Sequence, residues 1–364
     1  MRIRENETGN VSRKNRIITF FLAVFVVISF LLTVFCMVYL RVQIKEKINP
    51  INQQYREYNR HYALITRDNK DSLWASVYDN MKRTGEKTDV YVEKFGDNLA
   101  VEYSERELME IAIDSKVDGI IYEGDDSMET VSLISKATAA GIPVITVKND
   151  AVSSARRSFV GISYYNLGTE YGKMILQALD TLDSFKANNE DSESNINVLV
   201  LVDKSVQDTS QNITVTALKE TISKIADGNP GIEVNTIEID NSGDFSAEES
   251  IRDLFQNPRL PDIIVCLNEV NTVSVYQTIV EQNKVGESVI LGYSNSDVVL
   301  KAIKKDVIFS TITVDEEQLG SDCVEALNEY IDYGRVSEYY GVDYNIINAD
   351  NVDSYLGNEV PYEQ

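Results

Sequence analysis

The stretch AIDSKVDGIIYEGDDSMETVSLISKATAAGIPVITVKND, residues 112–150, decides the fold. Two short apolar runs, Gly119–Tyr122 and Val144–Val147, flank a longer segment, Met128–Ala140. In that segment Val131, Ile134 and Ala137 recur at helical spacing. The apolar runs are too short for core helices and read as buried strands. Gly141-Ile142-Pro143 stops the helix and starts the next strand, because glycine suits a helix end and proline cannot continue one. Strand, helix and strand joined by short turns form a parallel unit with a right-handed crossover.

Working outward, the same alternation covers everything beyond residue 60. Upstream strands are expected at Tyr62–Thr66 and Asp89–Phe95, with a helix at Glu105–Ser115 that places Leu108, Ile111 and Ala112 on one face. Ser158–Ile162 completes a first set. A polar stretch, residues 187–195, interrupts the rhythm. A second set follows at Asn197–Val202, Glu233–Ile239, Asp262–Leu267, Ser288–Gly292 and Ile308–Thr313, with a short final strand at Asp343–Ile347. Two doubly wound parallel sheets fit this division better than one large sheet. Ligands of such sheets bind beyond the carboxyl ends of the strands, so two facing lobes enclose a cleft.

Composition narrows the function. The chain of 364 residues carries a formal net charge of −24, unevenly spread. Residues 1–60 hold ten Lys/Arg against four Asp/Glu, leaving 24 basic and 54 acidic residues in the body. Such a body repels nucleic acid. Phosphate-binding loops, zinc-protease, EF-hand and kinase signatures are missing from the sequence. His61 is the single histidine, and Cys36, Cys266 and Cys323 show no metal-ligand spacing. The expectation is therefore no catalytic set, no cofactor and no metal, with Cys266 and Cys323 as small buried hydrophobes.

Residues 17–40, IITFFLAVFVVISFLLTVFCMVYL, hold no charge. At about 1.5 Å per residue they span a bilayer as a helix. The run is long and ends in bulky residues, which reads as an uncleaved signal anchor. It is preceded by a tail, residues 1–16, and followed by a polar stalk, residues 41–60. Five basic residues stand on each side of the span, so charge alone leaves its orientation open.

The body resembles the type I periplasmic binding protein family, which includes ribose- and galactose-binding proteins and the effector domains of lactose-repressor-type regulators. The resemblance is carried by residues 112–150 together with Phe159-Val160-Gly161-Ile162, Tyr164-Tyr165-Asn166-Leu167-Gly168, the strand ending in Asn268-Glu269, Ile290-Leu291-Gly292-Tyr293 and Glu317-Gln318-Leu319-Gly320. It covers residues 61–356. It implies an N-terminal lobe at 61–163 plus 315–345 and a C-terminal lobe at 164–314 plus 346–364, joined by three hinge strands and closing on a sugar-like small molecule. A transmembrane helix stands where the repressor branch would have its DNA-binding domain.

Carried over residue by residue, the resemblance points to Asp71, Trp74, Lys148, Asn149, Asn212, Phe245, Asn268 and Ser294 as ligand-binding. Asp71 also suits a helix cap, Trp74 and Phe245 core packing, and Asn212 a helix cap. Lys148 also suits a pair with Asp150. Ser294 replaces an aspartate of the sugar pattern, and Val314 falls near a pocket glutamine. The resemblance further implies a body outside the cytoplasm. The partner is then an ABC permease fed with solute, or else a membrane sensor kinase or chemoreceptor that reads the closed form.

Overall fold

The computed structural model describes residues 32–35, 37, 57–67, 73–97, 101, 103–186, 195–204, 209–225, 231–241, 245–257 and 259–356. The chain divides into two compact units, Met1–Glu57 and Tyr58–Gln364. In the first, residues 32–35 and 37 are helical. The rest of the expected span at 17–40, and nearly all of the stalk, lie outside the described residues. Among the described residues no helix is long and apolar enough to cross a membrane.

The second unit carries twelve described strands in two six-stranded sheets. The first sheet contains β1 (Arg60–Ile65), β2 (Val90–Lys94), β3 (Gly119–Tyr122), β4 (Val144–Val147), β5 (Ser158–Gly161) and β11 (Tyr339–Gly341). Its order is β11-β5-β4-β3-β1-β2, and every pair is parallel. The second contains β6 (Ile196–Asp203), β7 (Ile232–Ile239), β8 (Ile263–Cys266), β9 (Val289–Tyr293), β10 (Ser310–Val314) and β12 (Tyr344–Asn348). Its order is β12-β10-β9-β8-β6-β7, with β12 alone antiparallel.

Period-two alternation explains why both faces are covered. In β1, Tyr62 and Leu64 face a core shared with Trp74, Val77, Met81 and Leu319, whereas Ala63 and Ile65 face one shared with Leu108, Met109 and Ile134. In β6, Val198 and Val200 divide from Leu199 and Leu201 in the same way. The helix Met128–Ala139 buries Leu133, Ile134 and Ala137, while Val131 stays partly exposed. Cys266 and Cys323 are buried free thiols, and burial raises the pKa of each.

The chain leaves the first sheet after Gly161, returns to the first lobe after Val314, and crosses again between Gly341 and Tyr344. β12 thus begins two residues before the expected boundary at 345/346. β11 is an addition that periodicity does not reveal. Three residues, Tyr339-Tyr340-Gly341, are too short to show alternation, and their pairing with β5 makes them a strand.

Two glycines of the resemblance permit close packing. A Cβ at Gly168 would lie 2.1 Å from the Thr214 carbonyl oxygen, where the helix Tyr164–Lys186 meets the helix Ser210–Ile225. A Cβ at Gly320 would lie 2.6 Å from the Val77 carbonyl oxygen. Gly168→Ala must separate two helix backbones. It is expected to cost about 1–3 kcal/mol, read as a lowered midpoint in denaturant or thermal melts of the full chain.

Candidate functional site

A cleft of about 890 Å³ opens between the carboxyl ends of the two sheets. Sites for small molecules run about 300–1,000 Å³. Strands β1, β3, β4, β6, β7, β8 and β9 each contribute polar residues at or just past the end of their apolar run.

On the first-lobe wall, Arg67 follows β1, Glu123 follows β3, and Lys148 and Asn149 follow β4. Glu105 opens the helix Glu105–Asp114, whose start is fixed by a capping box between Ser104 and Glu107. The charges interlock. Arg67 lies 2.8 Å from Asp125 and 3.3 Å from Glu105, and Lys148 Nζ lies 3.0 Å from Glu123. The Arg67 N–H donates to Glu123 at 2.9 Å, and the Tyr122 hydroxyl donates to Glu105 at 2.6 Å. Burial alone would lower the pKa of Arg67, but Glu105 and Asp125 outweigh it and raise the value. Burial alone would raise Asp125; bonds from Ser127 and Thr130 and the charge of Arg67 reverse this and hold its carboxyl below the ordinary range.

On the second-lobe wall, Asp203 ends β6, Asn241 follows β7, Leu267 to Glu269 follow β8, Tyr293 ends β9, and Ser294 and Asn295 follow it. Asn268 caps the helix Glu269–Glu281, its side chain accepting the Asn271 N–H at 2.8 Å. Thr272 braces two strand ends, donating to the Asn268 carbonyl at 2.7 Å and accepting the Tyr293 N–H at 3.0 Å. Below them the fully buried Tyr171 hydroxyl lies 3.0 Å from the carbonyls of both Cys266 and Gly292. The end of each wall also bears a left-handed non-glycine residue, Lys148 at φ 65° and Ser294 at φ 134°. Such backbone costs on the order of 1–3 kcal/mol and clusters at binding sites.

Of the expected residues, Lys148, Asn149, Asn268 and Ser294 line the cleft, as does Val314. Three others lie away from it. Trp74 is 0% exposed in the core, with no partner for its indole N–H among the described residues. Its ring faces Lys148 Nζ, 5.8 Å from the centroid, and not the cleft. Asn212 is exposed outside the cleft, because one residue along a helix turns about 100° and brings Gln211 inward instead. Phe245 is 76% exposed ahead of the helix Ser246–Phe255 and does not line the cleft. Asp71 lies outside the described residues. Lys148 meets Glu123, whereas Asp150 is held by Arg156. Arg67, Glu123, Asp203, Gln211 and Asn241 were missed, although Arg67, Glu123 and Asp203 stand where an apolar run gives way to charge. Among the described residues no group of three or more His, Cys, Asp or Glu side chains is placed to hold a metal.

Asp125 makes a pH-sensitive contribution to the first-lobe wall. Its folded pKa is depressed, so its stabilisation is complete above the unfolded value and lost as pH falls through the folded one. Asp125→Ala is expected to cost about 2–4 kcal/mol near neutral pH. The same variant should weaken the acid limb of the stability curve below about pH 4, measured by denaturant melts across pH.

Residues 62–335 match the Periplasmic binding protein domain family. No relative is found among the curated proteins. Among solved structures, the chain is similar to GanP, a glucose-galactose binding protein from Geobacillus stearothermophilus, with 20% identity, 83% of this chain and 99% of that chain covered, and a TM-score of 0.67. It is similar to a sugar ABC transporter sugar-binding protein from Bacillus halodurans, with 20% identity, coverage of 81% and 99%, and a TM-score of 0.67. XylFII in complex with LytSN matches at 20% identity, coverage of 80% and 98%, and a TM-score of 0.62. The two parallel sheets, the cleft at their strand ends and the match over most of the body agree: the chain belongs to the periplasmic binding protein domain family.

Proposed function

We propose that this protein is a membrane-anchored, extracytoplasmic solute-binding protein that closes on a sugar or related polar molecule and delivers it to an ABC-type importer. The cleft carries this reading. Polar residues at the strand ends of two sheets line about 890 Å³, and Asn149, Asn268 and Ser294 supply hydrogen-bonding groups to it. Closure removes water from such a site and strengthens each hydrogen bond to the ligand. The names of similar proteins support the ligand class: one binds glucose and galactose, and others are solved with tagatopyranose or D-arabinose. None of these names is that of an enzyme, and the reading assigns no catalytic residue.

Residues 17–40 anchor the protein, residues 41–60 hold the body off the membrane, and the body faces outward. A second reading makes the closed form a signal to a membrane sensor kinase or chemoreceptor. It is favoured by the similar protein XylFII, which occurs in complex with a second protein, LytSN.

Two measurements test the reading. The full chain in detergent micelles, screened against hexoses, pentoses and polyols, should be stabilised by at least one, by about 2.7 kcal/mol at a hundredfold excess over Kd. Asn149→Ala and Asn268→Ala should each weaken that ligand about tenfold, the equivalent of one hydrogen bond. A screen without any stabilising ligand refutes the binding role. Separately, the chain should stay with membranes through alkaline extraction, and protease added outside intact spheroplasts should remove the body. Protection from that protease refutes the outward orientation.

A further inference from the structure

The helix Glu269–Glu281, EVNTVSVYQTIVE, is apolar on two faces. Val275 and Ile279 are fully buried in the second-lobe core with Ile251 and Phe255. At 3.6 residues per turn, Val270 and Val273 stand about 120–180° around the helix from that pair. Val270 is 44% exposed, Val280 on the same outer face is 43% exposed, and Val273 packs only partly against the core. A helix lying on a sheet needs one apolar stripe, and its outer face is ordinarily polar. Valine is also a weaker helix former than the Glu, Lys or Gln that would fill a solvated face. Packing within the lobe therefore leaves the outer valines unexplained.

The cleft accounts for them. Val270, Val273 and Gln277 recur at the i, i+3, i+7 spacing of one helix face, and all three line the cleft, as does Leu267 just past β8. From Val270 to Gln277 the helix rises about 10 Å, further than one sugar ring reaches. The cleft volume of about 890 Å³ is also near the upper end of sites for small molecules, which run about 300–1,000 Å³. Polar strand ends stand at the start of this strip: Asn268 caps the same helix, and Asn149 lies on the first-lobe wall. A ligand that fills both parts has a hydroxyl-rich end and an apolar end. Valine and leucine side chains offer no hydrogen bond, so once closure removes water a hydroxyl against them is penalised and an apolar group is favoured.

We infer that the cleft takes a sugar carrying an apolar substituent, a glycoside of an aryl or short alkyl group in chemical class, with the sugar at Asn149 and Asn268 and the substituent along Leu267, Val270 and Val273. This rests on the sugar-binding reading above and adds the apolar part of the ligand to it. Val280, one turn beyond Gln277 on the same face, does not line the cleft and marks where the subsite ends.

The test uses the full chain in lipid nanodiscs, titrated calorimetrically with glucose and galactose, their phenyl β-glycosides, and the disaccharides cellobiose and lactose. Empty nanodiscs titrated in parallel correct for partition into lipid. Each phenyl glycoside should bind at least about tenfold more tightly than its parent hexose, and more tightly than the disaccharide with the same sugar at its non-reducing end. Val270→Thr and Val273→Thr, which nearly keep the side-chain shape and add a hydroxyl, should each lower the ratio of phenyl glycoside to hexose affinity about threefold or more. Val280→Thr should leave that ratio unchanged. Thermal melts of the three variants, cooperative and close to that of the parent protein, show that they fold. Phenyl glycosides binding no better than the hexoses, disaccharides binding best, or a ratio unmoved in both Val270→Thr and Val273→Thr overturns this inference and leaves the sugar-binding reading standing. The first of these outcomes leaves the outer valine face to a protein surface. Binding of none of the six also overturns it, and the wider screen above then decides the sugar-binding reading by itself.

Discussion

Three crossovers run side by side between the lobes, and hydrogen bonds tie each to its neighbours. The Asp315 N–H donates to the Asp343 carbonyl and the Val342 N–H to the Gly161 carbonyl, each at 2.9 Å. Gln318 spans the same joint, accepting the Asp343 N–H at 2.9 Å and donating to the Gly341 carbonyl at 3.2 Å. Asp315 in turn caps the helix that carries Gln318. Each bond is worth about 1 kcal/mol net. Together they keep the crossovers in register and aim the carboxyl ends of two parallel sheets at one another. Without that joint the polar strand ends would face solvent separately, and no cleft would exist.

The geometry of a parallel sheet supplies the rest. Strands buried on both faces are apolar along their length, so the first place a polar side chain can stand is just past the carboxyl end. Arg67, Glu123, Lys148 and Asn268 occupy such positions, and Asp203 is the last residue of β6. Their surroundings then separate their roles. The first-lobe residues are held in an ion-pair lattice that reaches buried Asp125, and breaking one member leaves another charge exposed to a poorly hydrated interior. The second-lobe residues hang on helix caps and on strand ends braced by Thr272 and Tyr171.

Local rules made most of the architecture legible. Alternation in β1 and β6, the Gly141-Ile142-Pro143 punctuation and the spacing of Leu108 and Ala112 each act over a few residues, so reading them needs no knowledge of distant partners. The site was legible only where a local motif coincided with a strand end. Asn268, a cap directly after β8, lines the cleft, and so do Lys148, Asn149 and Ser294, which follow β4 and β9. Trp74, Asn212 and Phe245 fall away from the cleft, because motif distance does not report rotation about a helix or depth in a core.

The sequence by itself determined a two-lobed α/β body, its strands to within a few residues, and a charge-free N-terminal run, because periodicity and turn chemistry are properties of neighbouring residues. The tertiary structure decided which partner each charge takes. Lys148 meets Glu123 across two strands and leaves Asp150, its near neighbour in sequence, to Arg156. It decided that Tyr339–Gly341 is a strand, since β5 supplies the pairing. It also decided that Gln211, and not Asn212, reaches the cleft, since that depends on the direction in which a packed helix turns its face.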